Sequence, residues 1–146
     1  MAAQSDDNNW QMSLPTKQYR VLVVDDEPLV ARACQILLKR SGYDALVVDN
    51  GMAALEKLKS ESFDVIITDF YMPGFSGDEL VDEVKRQNPS QRVILSSGHD
   101  DTADRLTKRE RKPDLVLSKP YQFTDLIAGI QKILSLPCDF SAQKAG

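Results

Sequence analysis

The chain holds one histidine, two cysteines and one tryptophan in 146 residues, and it has no apolar run of membrane-spanning length. Each shortage excludes something. With His99 alone, a histidine-rich metal site is ruled out. Cys34 and Cys138 form neither a CxxC pair nor a disulfide framework, so a reducing, cytoplasmic setting is the simpler reading. Basic residues are outnumbered, 18 Lys and Arg against 22 Asp and Glu, for a net charge of −4. That balance argues against direct binding of nucleic acid. The first nine residues are polar and acidic, unlike a secretory signal, and no membrane association is expected. What remains is ordinary for one globular domain, 42% hydrophobic and 27% charged.

The expected organisation is a polar tail over residues 1–18, a folded domain over 19–136 and a second tail over 137–146. Trp10 either anchors the first tail to the body or stands exposed on it. From Tyr19 a regular alternation begins. Val21-Leu22-Val23-Val24 is apolar at every position and ends in Asp25-Asp26-Glu27-Pro28. A strand apolar on both faces belongs in the interior of a parallel sheet. Pro28 suits a first helical position, and Val30, Ala33, Cys34, Leu37 and Leu38 recur at helical spacing before Gly42.

The pattern repeats four times. Residues 45–48 read as a strand, and Asn50 caps a helix with Ala54, Leu55 and Leu58 inward. Val65-Ile66-Ile67 runs to Thr68-Asp69, and Leu80, Val81 and Val84 form the next stripe, stopped by Asn88-Pro89. Val93-Ile94-Leu95 leads to Ser96-Ser97-Gly98, and residues 101–111 form a helix carrying only Ala103 and Leu106 as apolar side chains. Leu115-Val116-Leu117 precedes Ser118-Lys119-Pro120. Thr124 then caps a helix with Leu126, Ile127, Ile130, Ile133 and Leu134 inward, and Pro137 follows it. Five strands alternating with five helices predict an α/β fold, an open parallel sheet doubly wound by right-handed crossovers.

In such a sheet all strands end on one edge, where ligands bind. Strand ends here carry Asp25, Asp26, Asp69, Ser97 and Lys119. Three gathered carboxylates repel one another unless a cation neutralises them. Oxygen ligands alone select a hard ion, and magnesium (Mg2+) suits a shallow site with few protein ligands. Lys119 supplies a compact charge for phosphoryl oxygens, Asp69 a nucleophile toward an activated phosphoryl group, and Ser97 a hydroxyl to bond that group. Singly, each has a plainer reading. Asp25-Asp26 can be an acidic helix start, Asp69 a turn residue, and Lys119 a solvated strand end. Their joint occurrence at four strand ends carries the argument.

Four segments, Val21–Pro28, Asp64–Gly77, Val93–Gly98 and Ser118–Tyr121, resemble in order and spacing the receiver domains of bacterial two-component response regulators. The resemblance covers about residues 19–136. It implies a flavodoxin-like (βα)5 fold of strand order 2-1-3-4-5. It also implies that Asp69 is the phosphoacceptor, that Asp26 binds magnesium directly and Asp25 mainly through water, and that the Tyr71 backbone carbonyl is a further ligand. Ser97 matches the switch hydroxyl and Lys119 the phosphate-binding lysine, with a cis bond to Pro120. The donor would be a histidine kinase or histidine phosphotransfer protein, and the output a downstream protein partner of a stand-alone receiver or of a longer protein. Such a domain is no enzyme toward other substrates and only dephosphorylates itself.

This sequence also departs from the family. Val116 stands where many receivers carry an aromatic read-out residue. Tyr71 and His99 occupy positions that tune phosphate lifetime, and their bulk predicts a slow hydrolysis. Arg105, Lys108, Arg109, Arg111 and Lys112 form either a docking surface for an acidic partner or a solvated face. Two rivals stand beside the receiver reading. One is a magnesium-dependent phosphatase of the haloacid-dehalogenase type with Asp25 as nucleophile, which wants an Asp where Glu27 stands. The other is an interaction module that is never phosphorylated. A nucleotide- or flavin-binding protein would need a Gly-rich loop after the first strand, and there is none.

Overall fold

The structure is a computed structural model that describes residues 18–98 and 101–135. Trp10, His99, Pro137 and Cys138, and with them the readings made on those residues, lie outside this range.

Ten elements follow one another: β1 (Arg20–Val24), α1 (Pro28–Arg40), β2 (Asp44–Val48), α2 (Gly51–Ser60), β3 (Val65–Asp69), α3 (Gly77–Gln87), β4 (Arg92–Ser97), α4 (Thr102–Thr107), β5 (Leu115–Ser118) and α5 (Phe123–Ser135). The five strands form one sheet in the order β2-β1-β3-β4-β5, with every pairing parallel. The expected fold and strand order are both observed.

The doubly apolar strands explain the layering. Leu22, Val24, Ile66, Val93 and Leu95 face one side of the sheet, against Ala54 of α2, Leu80, Val81 and Val84 of α3 and Leu106 of α4. Val21, Val23, Val65, Ile67 and Ile94 face the other, against Leu38 of α1 and Leu126, Ile130 and Ile133 of α5. Successive strand residues thus feed two cores. Full burial of each Leu, Ile or Val adds roughly 1.5–3 kcal/mol of transfer free energy, so the sheet is fixed firmly by its own sequence.

Boundaries follow local chemistry. Pro28 occupies the first turn of α1, and Gly42 takes a φ of +97° just past its end, a conformation a side chain would oppose. Asn50 caps α2 by accepting the Ala53 N–H at 2.7 Å. Ser76 and Glu79 form a reciprocal capping box at the start of α3.

Three expectations need correction. On α1 the inward residues are Ala31, Cys34 and Leu38, whereas Val30, Ala33 and Leu37 are exposed. The helix carries more apolar residues than one core-facing stripe can use, so periodicity alone does not choose the stripe. The helix expected over 101–111 is six residues long. Leu106 is its apolar anchor in the core while Ala103 is exposed, and the chain beyond is held by charges instead. Finally, α5 begins at Phe123, ahead of Thr124. Asp125 closes its start by accepting the Gln122 N–H at 2.9 Å.

Candidate functional site

The parallel sheet delivers the ends of β1 and β3 to the same edge, side by side. Carboxylate oxygens of Asp25, Asp26 and Asp69 all lie within 4.8 Å of one another. They line an open cleft of about 320 Å³ with Glu27, Val30, Tyr71, Gly98 and Lys119. Hydrogen bonds fix the strand ends that carry them. The Asp25 N–H donates to the Val48 carbonyl at 3.1 Å, and the Phe70 N–H donates both to the Ser96 carbonyl at 2.9 Å and to Asp69 Oδ1 at 3.0 Å.

Gly77 has a specific reason to be glycine. A Cβ there would collide with the backbone carbonyl of Asp69 and stand 2.9 Å from Phe70 Cα. The start of α3 therefore rests directly against the backbone of the central carboxylate, and the Gly77 N–H donates to the Phe70 carbonyl at 2.6 Å.

Lys119 reaches the cluster from the end of β5. Its Nζ stands 3.0 Å from Asp69 Oδ1, and its own N–H donates to the Ser97 carbonyl at 2.7 Å. The Lys119–Pro120 bond is cis, as the resemblance implied. Burial works against the ammonium, but the hydrogen bond to Asp69 and the charges of Asp69 and Asp25 outweigh it and hold Lys119 above the ordinary lysine pKa. The Lys119 side chain is 39% exposed, so its pair with Asp69 contributes at most ~1 kcal/mol to folding. Its importance lies in the local field. Asp25 is held above the usual carboxylate range, first by burial and then by the negative charges of Asp69 and Asp26. A site that strains against its own charge is suited to a cation. Among the described residues the cluster is three carboxylates with no thiolate or imidazole, which matches a hard divalent ion such as magnesium.

Ser97 ends β4 and is buried, but its hydroxyl is hydrogen-bonded to that of Thr102 and does not line the cleft. Tyr71 does line it, and its phenol donates to Asp101 at 2.6 Å. That bond, with partial burial behind it, raises the Tyr71 pKa. The Arg105 guanidinium lies over the Phe70 and Tyr71 rings, 5.1 and 5.8 Å from their centroids.

Sequence reasoning missed Asp78. It is 1% exposed, in the first turn of α3, and it accepts from Ser76 Oγ at 2.5 Å and from Arg109 Nε at 3.0 Å, with Arg105 Nη2 at 3.5 Å. Arg109 and Arg111 also pair with Asp82, and Lys112 donates to the Arg109 carbonyl. Thus neither earlier reading of this basic run fits its arginines. They are spent tying the α4–β5 segment to α3. Ser76-x-Asp78 looks like a helix start, and nothing local announces partners some thirty residues away.

The chain is similar to proteins of known family. The family model described as "Response regulator receiver domain" matches residues 21–131. The sensory transduction protein RegX3 of Mycolicibacterium smegmatis is 31% identical over 119 residues, 82% of this chain and 52% of that protein. The transcriptional regulatory protein CutR of Streptomyces coelicolor is 33% identical over 130 residues, 87% of this chain and 60% of that protein. The chain thus spans a little over half the length of these curated relatives. Among solved structures, the Thermotoga maritima response regulator TrrA in complex with Mg(2+)-BeF superposes with a TM-score of 0.73 at 30% identity, covering 80% of this chain and 99% of that one.

Proposed function

The chain belongs to the response regulator receiver family, and on that premise we propose that it takes up a phosphoryl group on Asp69 and changes conformation to control a protein partner. The single observation that carries this reading is the convergence of three carboxylates and one ammonium at the sheet edge, with Lys119 bonded to Asp69 in particular.

The donor is a phosphohistidine on a histidine kinase or histidine phosphotransfer protein. An Asp69 oxygen attacks phosphorus, a P–O bond forms, and the P–N bond breaks as the imidazole leaves with the bonding pair and takes up a proton. Asp25, Asp26, Asp69 and the Tyr71 carbonyl would hold magnesium, which would neutralise charge on the cluster and on the phosphoryl oxygens. The Thermotoga relative's complex with magnesium and beryllium fluoride supports that assignment. Lys119 stays on the attached group as its counter-charge. Water later hydrolyses the acyl phosphate, so the chain turns over only its own modification.

A docking place for the donor adjoins the cleft. Leu29 is 85% exposed on α1, with Val30, Ile36 and Leu37 also exposed. Beside them Val30, Cys34, Leu37, Pro120, Tyr121 and Phe123 line a groove of about 590 Å³ that shares Val30, Gly98 and Lys119 with the acidic cleft. An apolar helix face there would present its histidine to Asp69. This role accounts for the residues of α1 that the core does not use.

The phosphatase reading is weaker, because the Lys119 ammonium pairs with Asp69. The test is transfer from a radiolabelled phosphorylated histidine kinase, followed by peptide mapping. Label on the peptide containing Asp69, absent from a folded Asp69→Asn variant, is expected. Label retained in that variant moves the acceptor elsewhere, and steady turnover of a phosphate ester favours the phosphatase.

A further inference from the structure

Residues 70–76 carry the chain from the end of β3 to the start of α3, passing the acidic cleft at Tyr71. Backbone bonds fix both ends of this loop. The Phe70 N–H donates to the Ser96 carbonyl, and the Gly77 N–H to the Phe70 carbonyl. Between them Met72 is buried in the core shared by α2 and α3, and Gly74 turns the chain at a φ of +84°. Phe75 then lays its ring against Gly51, the first residue of α2. A Cβ on Gly51 would collide with Phe75 Cδ2 and stand 2.9 Å from Cε2 and 3.0 Å from Cγ. Positive φ among the described glycines is confined to Gly42 and Gly74, so the ring is the reason for glycine at 51, not the backbone. Glycine weakens a helix relative to alanine, so α2 gives up helical propensity to admit the ring. The same ring lines a groove with Leu55 of α2 and Glu79 of α3, and so joins the two helices.

We propose that Phe75, seated on Gly51, is a positioning residue: it holds the loop after Asp69 so that the Tyr71 backbone carbonyl stays fixed as a cation ligand, and it thereby sets the cleft's preference for magnesium over calcium. The proposal rests on the reading of the cleft as a magnesium site. The carboxylates of Asp25, Asp26 and Asp69 can adjust to an ion by turning about their own side-chain bonds. A backbone carbonyl has no such freedom and moves only with its loop. Gly74 gives this loop a soft joint. The ring of Phe75 fixes the arm beyond that joint, and it rests on a helix start that is itself held by the Asn50 cap. Magnesium demands near-ideal octahedral geometry at short distances, whereas calcium accepts more oxygens in a flexible shell. Loosening the loop therefore costs magnesium more than calcium.

The test uses the full chain, titrated separately with magnesium chloride and calcium chloride and followed by amide chemical shifts. Gly51→Ala pushes the Phe75 ring aside. It is expected to bind magnesium about tenfold more weakly than wild type, a loss typical where a group that orients a metal ligand is removed. Calcium affinity should change no more than about twofold, because its shell tolerates the displaced carbonyl. Phe75→Ala should weaken magnesium binding in the same way, and adding Gly51→Ala to it should have no further effect, because Gly51 acts through the ring. Unchanged magnesium affinity in Gly51→Ala, equal losses for the two ions, or the same loss in the absence of the ring overturns the proposal. Should Gly51→Ala not fold, Phe75→Ala alone decides, and wild-type magnesium affinity in that variant overturns it. If wild type itself binds no magnesium, the reading of the cleft as a magnesium site has failed first, and this proposal falls with it. If wild type binds magnesium and Gly51→Ala binds it equally well, only this proposal falls.

Discussion

Replacing Asp78 by asparagine tests whether the basic run after α4 is bound inward. The wild-type carboxylate is almost wholly buried and takes charge-assisted hydrogen bonds from Arg109 and, more loosely, Arg105, besides the Ser76 hydroxyl. A hydrogen bond to a charged group is worth ~1.5–3 kcal/mol. The two arginine side chains are 28% and 38% exposed and keep part of their hydration, which discounts the value. Asparagine also retains one acceptor oxygen. A loss of about 1–2 kcal/mol at pH 7 is expected. The pH dependence follows from linkage. Burial alone would raise the Asp78 pKa, but the hydrogen bonds from Ser76 and Arg109 and the charges of Arg109 and Arg105 outweigh it, so the folded value lies below the ordinary one. The carboxylate's stabilisation is therefore complete above the unfolded value near ~3.9 and is lost as pH falls through the folded value. Urea unfolding followed by far-ultraviolet circular dichroism, from pH 8 down to pH 3, should show a gap between the two proteins that is level above about pH 5 and narrows below about pH 4. Equal midpoints at pH 7, or a gap that persists undiminished at low pH, would refute the inward ion-pair account.

Three further outcomes are expected. Asp26→Asn relieves like-charge repulsion, so in chelator it should be as stable as wild type or up to ~1 kcal/mol more so, whereas magnesium should raise the urea midpoint of wild type alone. Leu37→Glu, on the exposed face of α1, should change stability by no more than ~0.5 kcal/mol and leave labelling by acetyl phosphate intact, yet slow transfer from a kinase at least ~10-fold; equal kinase rates would remove α1 as the docking face. Tyr71→Ala combined with His99→Ala should shorten the acyl-phosphate half-life in magnesium buffer, and a wild-type half-life of only seconds that the double variant leaves unchanged would discard the shielding role of these side chains.

How much of this was legible in the sequence depends on the distance over which each feature is decided. Val21–Val24 and Val65–Ile67 are apolar at every position, and that pattern permits little besides an interior parallel strand. Once the strands are parallel, Asp25, Asp26, Asp69 and Lys119 must meet, and they do. The face of α1 could not be read in the same way. Leu29, Val30, Ala33, Ile36 and Leu37 satisfy a helical period as well as Ala31, Cys34 and Leu38 do, and only the width of the sheet beneath decides between them. The length of α4 was overestimated because its charges suggest a solvated helix, whereas Asp78 and Asp82 draw Arg109 and Arg111 away after two turns. Ser97 was identified by its strand-end position, but its partner Thr102 carries no signal of its own among the hydroxyl and acidic residues around it.

The central claim is that the acidic cleft makes Asp69 reactive toward phosphoryl groups. It is tested most directly by the intact mass of the protein after incubation with acetyl phosphate, with magnesium and with chelator. The expected result is a single added phosphoryl group with magnesium, none with chelator, and none in Asp69→Asn under either condition. An unmodified mass in the presence of magnesium, or a phosphoryl adduct that survives the Asp69→Asn substitution, would contradict it.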